Sequence, residues 1–364
     1  MTTRREFVAA GATLTLTGCV GVGGTTPSKF DEAPVEGVAE AEWEAAPADS
    51  HGFRSSFMEE VLRAGTSTPG LRSFLVVRNG VLIGERYYLG ASSSDLLPIR
   101  SVTKSVASIL AGIALERGSL RGLDEPLARL LPESVARIPG SQLATLRLED
   151  ILQGRTGVVH DIDNSAVINS QDPVALALSL ERTLPTPSGW TYNDAVVGLL
   201  SPILARAEGR DLAAMAARDL FGPLGIERYA WRRDRQGKSL SYAGLALRTR
   251  DLAKIAWTMA NGGTWRGKQV VPRDWVTKST KAYGPVEWQL PPIANLGYGY
   301  LWFSGLVSGR QAVWGWGYGG QFALFVPELR LVVATAAAPP FRENLTKQTN
   351  AIIALVAQLV EAAA

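Results

Sequence analysis

The feature that most limits how this chain can fold is the position of its extended segments, which stand at both ends with a long helical stretch between them. Near the start, "SFLVVRNGVLIGERYYLG" is two β-rich runs joined through Arg78-Asn79-Gly80, and Asn-Gly is the strongest short-range hairpin signal because both residues tolerate positive φ. Near the end, "GYGYLWFSG", "RQAVWGWGYGGQFALFVPE" and "RLVVATAAA" are three further strand candidates with turn residues between them. From about Leu120 to Leu220 the pattern is mostly helical, broken by Pro and Gly, as in "NDAVVGLLSPILARAEG" and "DLAAMAARDLFGPLG". "TRDLAKIAWTMANGG" reads as a helix stopped by Asn261-Gly262-Gly263, and "QTNAIIALVAQLVEAAA" as a terminal helix. Strands at both ends with helices inserted between them imply an α+β protein with one mixed sheet and one helical lobe. At 364 residues and 46% hydrophobic, the chain has enough apolar material for that core, as one large domain or two lobes.

The hairpin is followed by "PIRSVTKSVASILAGIALERG". Val102, Val106, Ile109 and Ile113 recur at intervals of four, three and four, which is one apolar stripe on a helix, and Gly118 supplies the stop. Ser101 therefore lies on the first turn, with Lys104 one turn along the same side. A serine hydroxyl needs a base to become nucleophilic, usually a histidine. Histidine is scarce here: only His51, at the leading edge of the folded part, and His160, in "GVVHDID", are present, and no G-x-S-x-G turn occurs. His160 reads as an ordinary loop or packed imidazole, and a two-histidine metal site is equally hard to build. A lysine can replace the histidine when it is desolvated or lies near another cation. Among the lysines of the chain, only Lys104 has a serine three residues before it. The helix N-terminus adds partial positive charge, and the Ser101 N–H can serve as an oxyanion donor. The spacing alone equally describes an exposed helix start with a snorkelling lysine.

Charge excludes one class of partner. The net charge of +3 arises from 37 basic and 34 acidic residues that are interspersed, so no basic stripe offers itself to nucleic acid. The N-terminus points to export. Arg4 and Arg5, then Phe7 and a short apolar run, resemble a twin-arginine signal; Leu16-Thr17-Gly18-Cys19 resembles a lipobox, in which the sole cysteine, Cys19, becomes the lipidated first residue. The expected organisation is an export signal over 1–18, a Gly/Thr/Pro/Ala-rich flexible tether over 19–42 and a folded domain over 43–364. Such a protein would be an envelope lipoprotein, exported folded and touching the membrane only through its lipid.

"SVTKS" and the following "GIALERGSLRGLDEPLARLLPE" resemble the serine β-lactamase, penicillin-binding-protein and related esterase superfamily. Closest are class C type carboxylesterases and aminohexanoate-oligomer hydrolases. The resemblance continues in order through "LEDILQGRTGV", "WTYNDAVVGLLSPILARAEG", "GLALRTRDLAKIAWTMANGGTWRGKQVVPRDWV" and "WGYGGQFALFVPELRLVV". It implies a β-lactamase/transpeptidase-like fold, an antiparallel sheet flanked by helices plus a mostly helical lobe. It places the nucleophile on Ser101, the lysine on Lys104 and the proton-shuttling tyrosine on Tyr192. Asp194 stands where the family usually has Asn; a carboxylate there would keep Lys104 charged and leave the proton work to Tyr192. The family's Lys-Thr-Gly strand reads Tyr318-Gly319-Gly320 here, and a tyrosine offers no charge to a substrate carboxylate. The glycines allow close backbone approach, and the Gln321 N–H falls on the second oxyanion donor.

Trp314, Trp316 and Tyr318 alternate along that strand and so share a face, where they could form an aromatic wall for an acyl chain; core packing is the other reading for Trp314. The implied activity is hydrolysis of a small-molecule ester or amide through an acyl-enzyme on Ser101, with no metal or organic cofactor. A β-lactamase or D-alanyl peptidase, which Tyr318 disfavours, and a catalytically idle receptor for peptidoglycan fragments or a partner are the alternatives.

Overall fold

The computed structural model describes residues 31–158, 164–185 and 189–363. Arg4, Arg5 and Cys19, with the expected export signal, lie outside the described residues, as does His160.

The strands, in chain order, are β1 (Asp31–Pro34), β2 (Leu71–Arg78), β3 (Val81–Tyr87), β4 (Leu97–Pro98), β5 (Arg228–Trp231), β6 (Leu245–Leu247), β7 (Thr264–Trp265), β8 (Lys268–Gln269), β9 (Gly284–Pro285), β10 (Ala294–Tyr298), β11 (Phe303–Val307), β12 (Arg310–Gly317), β13 (Gln321–Val326) and β14 (Leu331–Ala337). Eight of them form an antiparallel sheet in the order β3-β2-β14-β13-β12-β11-β10-β9, four more a small sheet in the order β1-β5-β6-β4, and β7 pairs with β8. The two ends of the chain meet where β14 pairs with β2, Thr335 opposite Phe74 and Val333 opposite Val76. The hairpin between β2 and β3 turns on Asn79 and Gly80, with φ of 55° and 84°, as Asn-Gly predicts.

Helices cover the large sheet. The Thr249–Ala260 helix packs on β2, β13 and β14, helix α1 (Ser55–Ala64) on β3, and helix α2 (Val102–Glu116) on β12 and β13. Every residue of β14 is buried, which explains why "LVVATAA" reads as an unbroken apolar run rather than an alternation. Between α2 and β5 the chain forms short helices, the expected helical lobe. Together these give an α+β fold of antiparallel sheets and helices. Among the described residues no helix is long and apolar enough to cross a membrane.

The expected tether needs correction over 31–42. β1 pairs antiparallel with β5, Asp31 opposite Trp231. Val35 is buried and its N–H donates to the Glu227 carbonyl over 2.7 Å; the Ala41 N–H donates to the Gly225 carbonyl over 3.1 Å, and Glu40 pairs with Arg248. The anchoring is carried by backbone pairing, scattered small apolar contacts such as Val35, and the ion pairs of Glu32, Glu40 and Glu42 with Arg228, Arg248 and Arg250, so it leaves no apolar period in the sequence. Gly225 matters at this contact: its φ is +61°, and a Cβ there would collide with Ala41.

Candidate active site

The small sheet fixes the start of α2. The Ile99 N–H donates to the Leu245 carbonyl over 2.9 Å, in line with the β4–β6 pairing. Arg100 then takes a left-handed φ of 53°, an uncommon conformation for a residue with a side chain. Ser101 follows at the N-cap position, yet its hydroxyl makes no capping bond. It is engaged elsewhere.

Two donors converge on Ser101 Oγ: the Tyr192 hydroxyl at 2.7 Å and Lys104 Nζ at 3.1 Å. Lys104 is almost fully buried, because α2 is sunk between the sheet and the helical lobe from Val102 through Ala114. The stripe legible in the sequence is thus one side of a helix buried nearly all round, and two contacts show how tightly. Ser105 Oγ donates to the Leu301 carbonyl over 2.8 Å, and a Cβ on Gly112 would collide with the Trp275 ring.

The ammonium of Lys104 reaches Ser101 Oγ, the Tyr242 carbonyl at 2.8 Å and the Asp194 carboxylate. Its Nζ also stands 4.6 Å from the centroid of the Tyr192 ring. Asp194 is buried beside it and pairs with its ammonium. Tyr192 is aimed by its neighbours: Asn193 is extended, and its side chain caps the Asp194–Gly198 helix by accepting from the Val196 N–H over 3.0 Å. Two other phenols lie nearby. Burial raises the pKa of Tyr298 well above its usual value, with Tyr192 and Asp194 adding to the effect, and burial followed by Asp194 raises that of Tyr242. Both remain protonated, which leaves Tyr192 as the phenol in contact with the serine.

The β12–β13 turn closes the other side. Gly319 and Gly320 have φ of +94° and +104°; a Cβ on Gly319 would come within 2.9 Å of Pro340 Cδ, and one on Gly320 would strike Ile352. These glycines therefore serve the turn and the packing of the C-terminal helix (Leu345–Ala362) as well as any substrate approach. The close approach to the nucleophile is made by Gly317, which the sequence reading missed: a Cβ there would lie 2.6 Å from the Ile99 carbonyl oxygen and 3.0 Å from Arg100 Cβ. Gln321, opposite Gly317 in the ladder, is fully buried and its Nε2 donates to the Ala337 carbonyl over 2.5 Å. Tyr318 is 40% exposed, its hydroxyl donating to the Pro340 carbonyl over 3.4 Å.

The expected aromatic wall divides. Trp314 is completely buried, stacked with Phe303 at 6.3 Å, and belongs to the core. Trp316 is half-buried and meets Trp288 edge-on at 5.7 Å. Trp288, 42% exposed, stands 5.1 Å from the Tyr192 ring and 4.8 Å from that of Trp190. The enclosure beside Tyr192 is thus built by Trp190, Trp288 and Trp316. Trp190 could have been found from its alternation with Tyr192; Trp288 rides on a loop, "KAYGPVEWQLPPIANLG", whose course is set by tertiary contacts. Among the described residues no cluster of His, Cys, Asp and Glu is arranged to hold a metal ion.

Comparison with known proteins places the fold and the family. Residues 58–358 match the family model described as Beta-lactamase. A 6-aminohexanoate-dimer hydrolase of Paenarthrobacter ureafaciens is 25% identical over 218 residues, 56% of this chain and 55% of that protein, so the chain matches about half the length of this curated relative. Among solved structures, a Bacillus anthracis protein provisionally named a 6-aminohexanoate-dimer hydrolase superposes with a TM-score of 0.69 at 18% identity, covering 91% of each chain. A penicillin-binding protein homologue from Caulobacter crescentus gives 0.66 at 16% identity, covering 86% of this chain and 100% of that one. The class C β-lactamase of Rhodobacter sphaeroides gives 0.60 at 20%, covering 83% and 98%. The fold is therefore β-lactamase/transpeptidase-like, and the chain belongs to the β-lactamase family.

Proposed function

We propose that this protein is a serine hydrolase that cleaves an ester or amide through an acyl-enzyme on Ser101, with Tyr192 and Lys104 managing the protons. The observation that carries this reading is the convergence on Ser101 Oγ of a phenol at 2.7 Å and an ammonium at 3.1 Å. With Tyr192 acting as its phenolate beside the Lys104 ammonium, Ser101 Oγ attacks the carbonyl carbon as its proton passes to the Tyr192 oxygen, and Tyr192 then delivers that same proton to the departing oxygen or nitrogen. Held charged by Asp194, Lys104 is better suited to stabilising negative charge on the serine and phenol oxygens than to taking a proton. The backbone N–H groups of Ser101 and Gln321 are the oxyanion donors in this scheme. In deacylation Tyr192 takes a proton from water, the hydroxide attacks the acyl carbon, and the proton returns to Ser101.

Amide cleavage is supported by the similarity to a 6-aminohexanoate-dimer hydrolase, ester cleavage by the weaker barrier that esters present; both fit one nucleophile. Tyr318, uncharged where a lysine would serve a β-lactam carboxylate, argues against penicillins. We further propose, from the twin-arginine and lipobox patterns alone, that the enzyme works in the cell envelope on a lipid anchor at Cys19. The test is labelling by a fluorophosphonate probe and turnover of 4-nitrophenyl acetate, both lost in Ser101→Ala. A wild type that neither labels nor turns over would make this protein a receptor instead.

A further inference from the structure

We propose that Arg100 is a substrate-binding residue that receives a carboxylate of the substrate next to Ser101, so that the preferred substrate is an anionic ester or amide. The proposal rests on the serine-hydrolase reading of the site and names its substrate class.

Arg100 immediately precedes the nucleophile and is held in a left-handed turn, with its Cβ against the backbone of Gly317. Its side chain is half-buried, and its Nε is buried without a hydrogen-bond partner. Among the described residues no carboxylate forms an ion pair with Arg100, in contrast to Arg86, Arg117, Arg147 and Arg250, each of which has one. Its pKa is lowered by burial and then by the charge of Arg232. The register explains why Arg232 is near. Pro98 pairs with Ala246 and Trp231 with Leu245, the Ile99 N–H donates to the Leu245 carbonyl and the Arg232 N–H to the Gly244 carbonyl over 2.8 Å, so Arg100 and Arg232 follow the two strands that flank β6 in the small sheet. Gly244, at φ +90°, has no side chain, and a Cβ there would collide with Arg232.

A guanidinium half-withdrawn from water without a counter-charge, with one N–H buried and unpaired, carries a cost. The cost is recovered when an anion arrives, and a carboxylate matches the planar fork of arginine in two parallel hydrogen bonds. One residue from the attacking oxygen, such a contact would fix the substrate against rotation while leaving the carbonyl to Ser101.

The test compares kcat/KM within two pairs of esters matched in size. Mono-4-nitrophenyl adipate against 4-nitrophenyl hexanoate places the carboxylate on the acyl side; 4-butanoyloxybenzoate against phenyl butanoate places it on the leaving group. The wild type should prefer the charged member of at least one pair by about ten-fold or more, the usual worth of a charge-assisted hydrogen bond. Arg100→Gln should bring that ratio close to one, and Arg100→Lys should keep part of it; fluorophosphonate labelling of both variants reports that the site has formed. Equal rates within both pairs in the wild type, or an undiminished ratio in a labelled Arg100→Gln protein, would overturn the proposal. If the wild type neither hydrolysed any of the four esters nor labelled with the fluorophosphonate, the hydrolase reading would fail separately. Calorimetric titration with adipate would then decide the anion site, with binding lost in Arg100→Gln supporting it and no binding to the wild type overturning it.

Discussion

Two buried lysines in this fold have nearly the same surroundings and different consequences. Lys254 gives one proton to Asp251 Oδ1 at 2.7 Å and another to the Gly225 carbonyl at 3.0 Å; Lys104 pairs with Asp194 and donates to the Tyr242 carbonyl at 2.8 Å. Both therefore have a carboxylate and a backbone carbonyl, and both are sealed from water. They differ in the rest of the neighbourhood. Asp251 also holds Arg248, which reaches Glu40 and ties down the segment bearing β1, whereas the third proton of Lys104 is aimed at a partly exposed hydroxyl that a phenol also touches. Burial of a lysine–carboxylate pair does not by itself mark a reactive site. What marks it is a donor pointed at an atom that solvent or substrate can reach.

The comparison can be broken by removing each lysine in turn. Lys104→Ala should reduce turnover by a factor on the order of 10³ or more, judged by losses on removing comparable groups in serine hydrolases. Lys254→Ala should leave the turnover of folded enzyme within about three-fold while costing about 3–5 kcal/mol of stability in denaturant titration, because Asp251 loses one of its two cations. Equal turnover losses in the two variants would show the distinction to be false. Asp194→Asn sharpens the comparison: without the counter-charge Lys104 is no longer pinned as a cation, and kcat/KM should fall by about ten- to a hundred-fold. Unchanged kinetics in that variant would mean that the pair is structural, like the one at Asp251.

Smaller effects belong to the pocket and the anchor. Trp288→Ala should flatten the gain in kcat/KM along a series of 4-nitrophenyl esters by up to about four-fold per methylene, the worth of a buried CH₂. A series as steep as that of the wild type would place the acyl chain elsewhere. Val35→Ala should lower stability by only about 1 kcal/mol, one partly replaceable apolar contact beside a backbone-paired strand; a loss as large as that of Lys254→Ala would show that β1 carries more of the fold than its pairing implies.

What the sequence disclosed follows from range. The Asn79-Gly80 hairpin and α2 are legible because turn chemistry and helical periodicity act over a few residues. Ser101 and Lys104 share one helical turn, so their meeting could be anticipated from spacing, whereas Tyr192 was reached only by resemblance, since its contact with Ser101 depends on how the helical lobe docks. Gly317, Trp190 and Trp288 were missed for the same reason: each acts through a neighbour distant in the chain. The segment 31–42 was misread because β1 is held by pairing with β5, and backbone hydrogen bonds leave no side-chain signature.

The most direct test of the central claim is the burst phase of 4-nitrophenyl acetate hydrolysis by Tyr192→Phe, a change that removes one oxygen and keeps the ring among Trp190 and Trp288. If the phenol carries the serine proton, the acylation rate should fall by a factor of about 10² to 10⁴ with the melting temperature nearly unchanged, as expected for loss of a proton-transfer group. A burst within a few-fold of the wild-type rate would contradict the account, because Ser101 would then be activated without the group that stands closest to it.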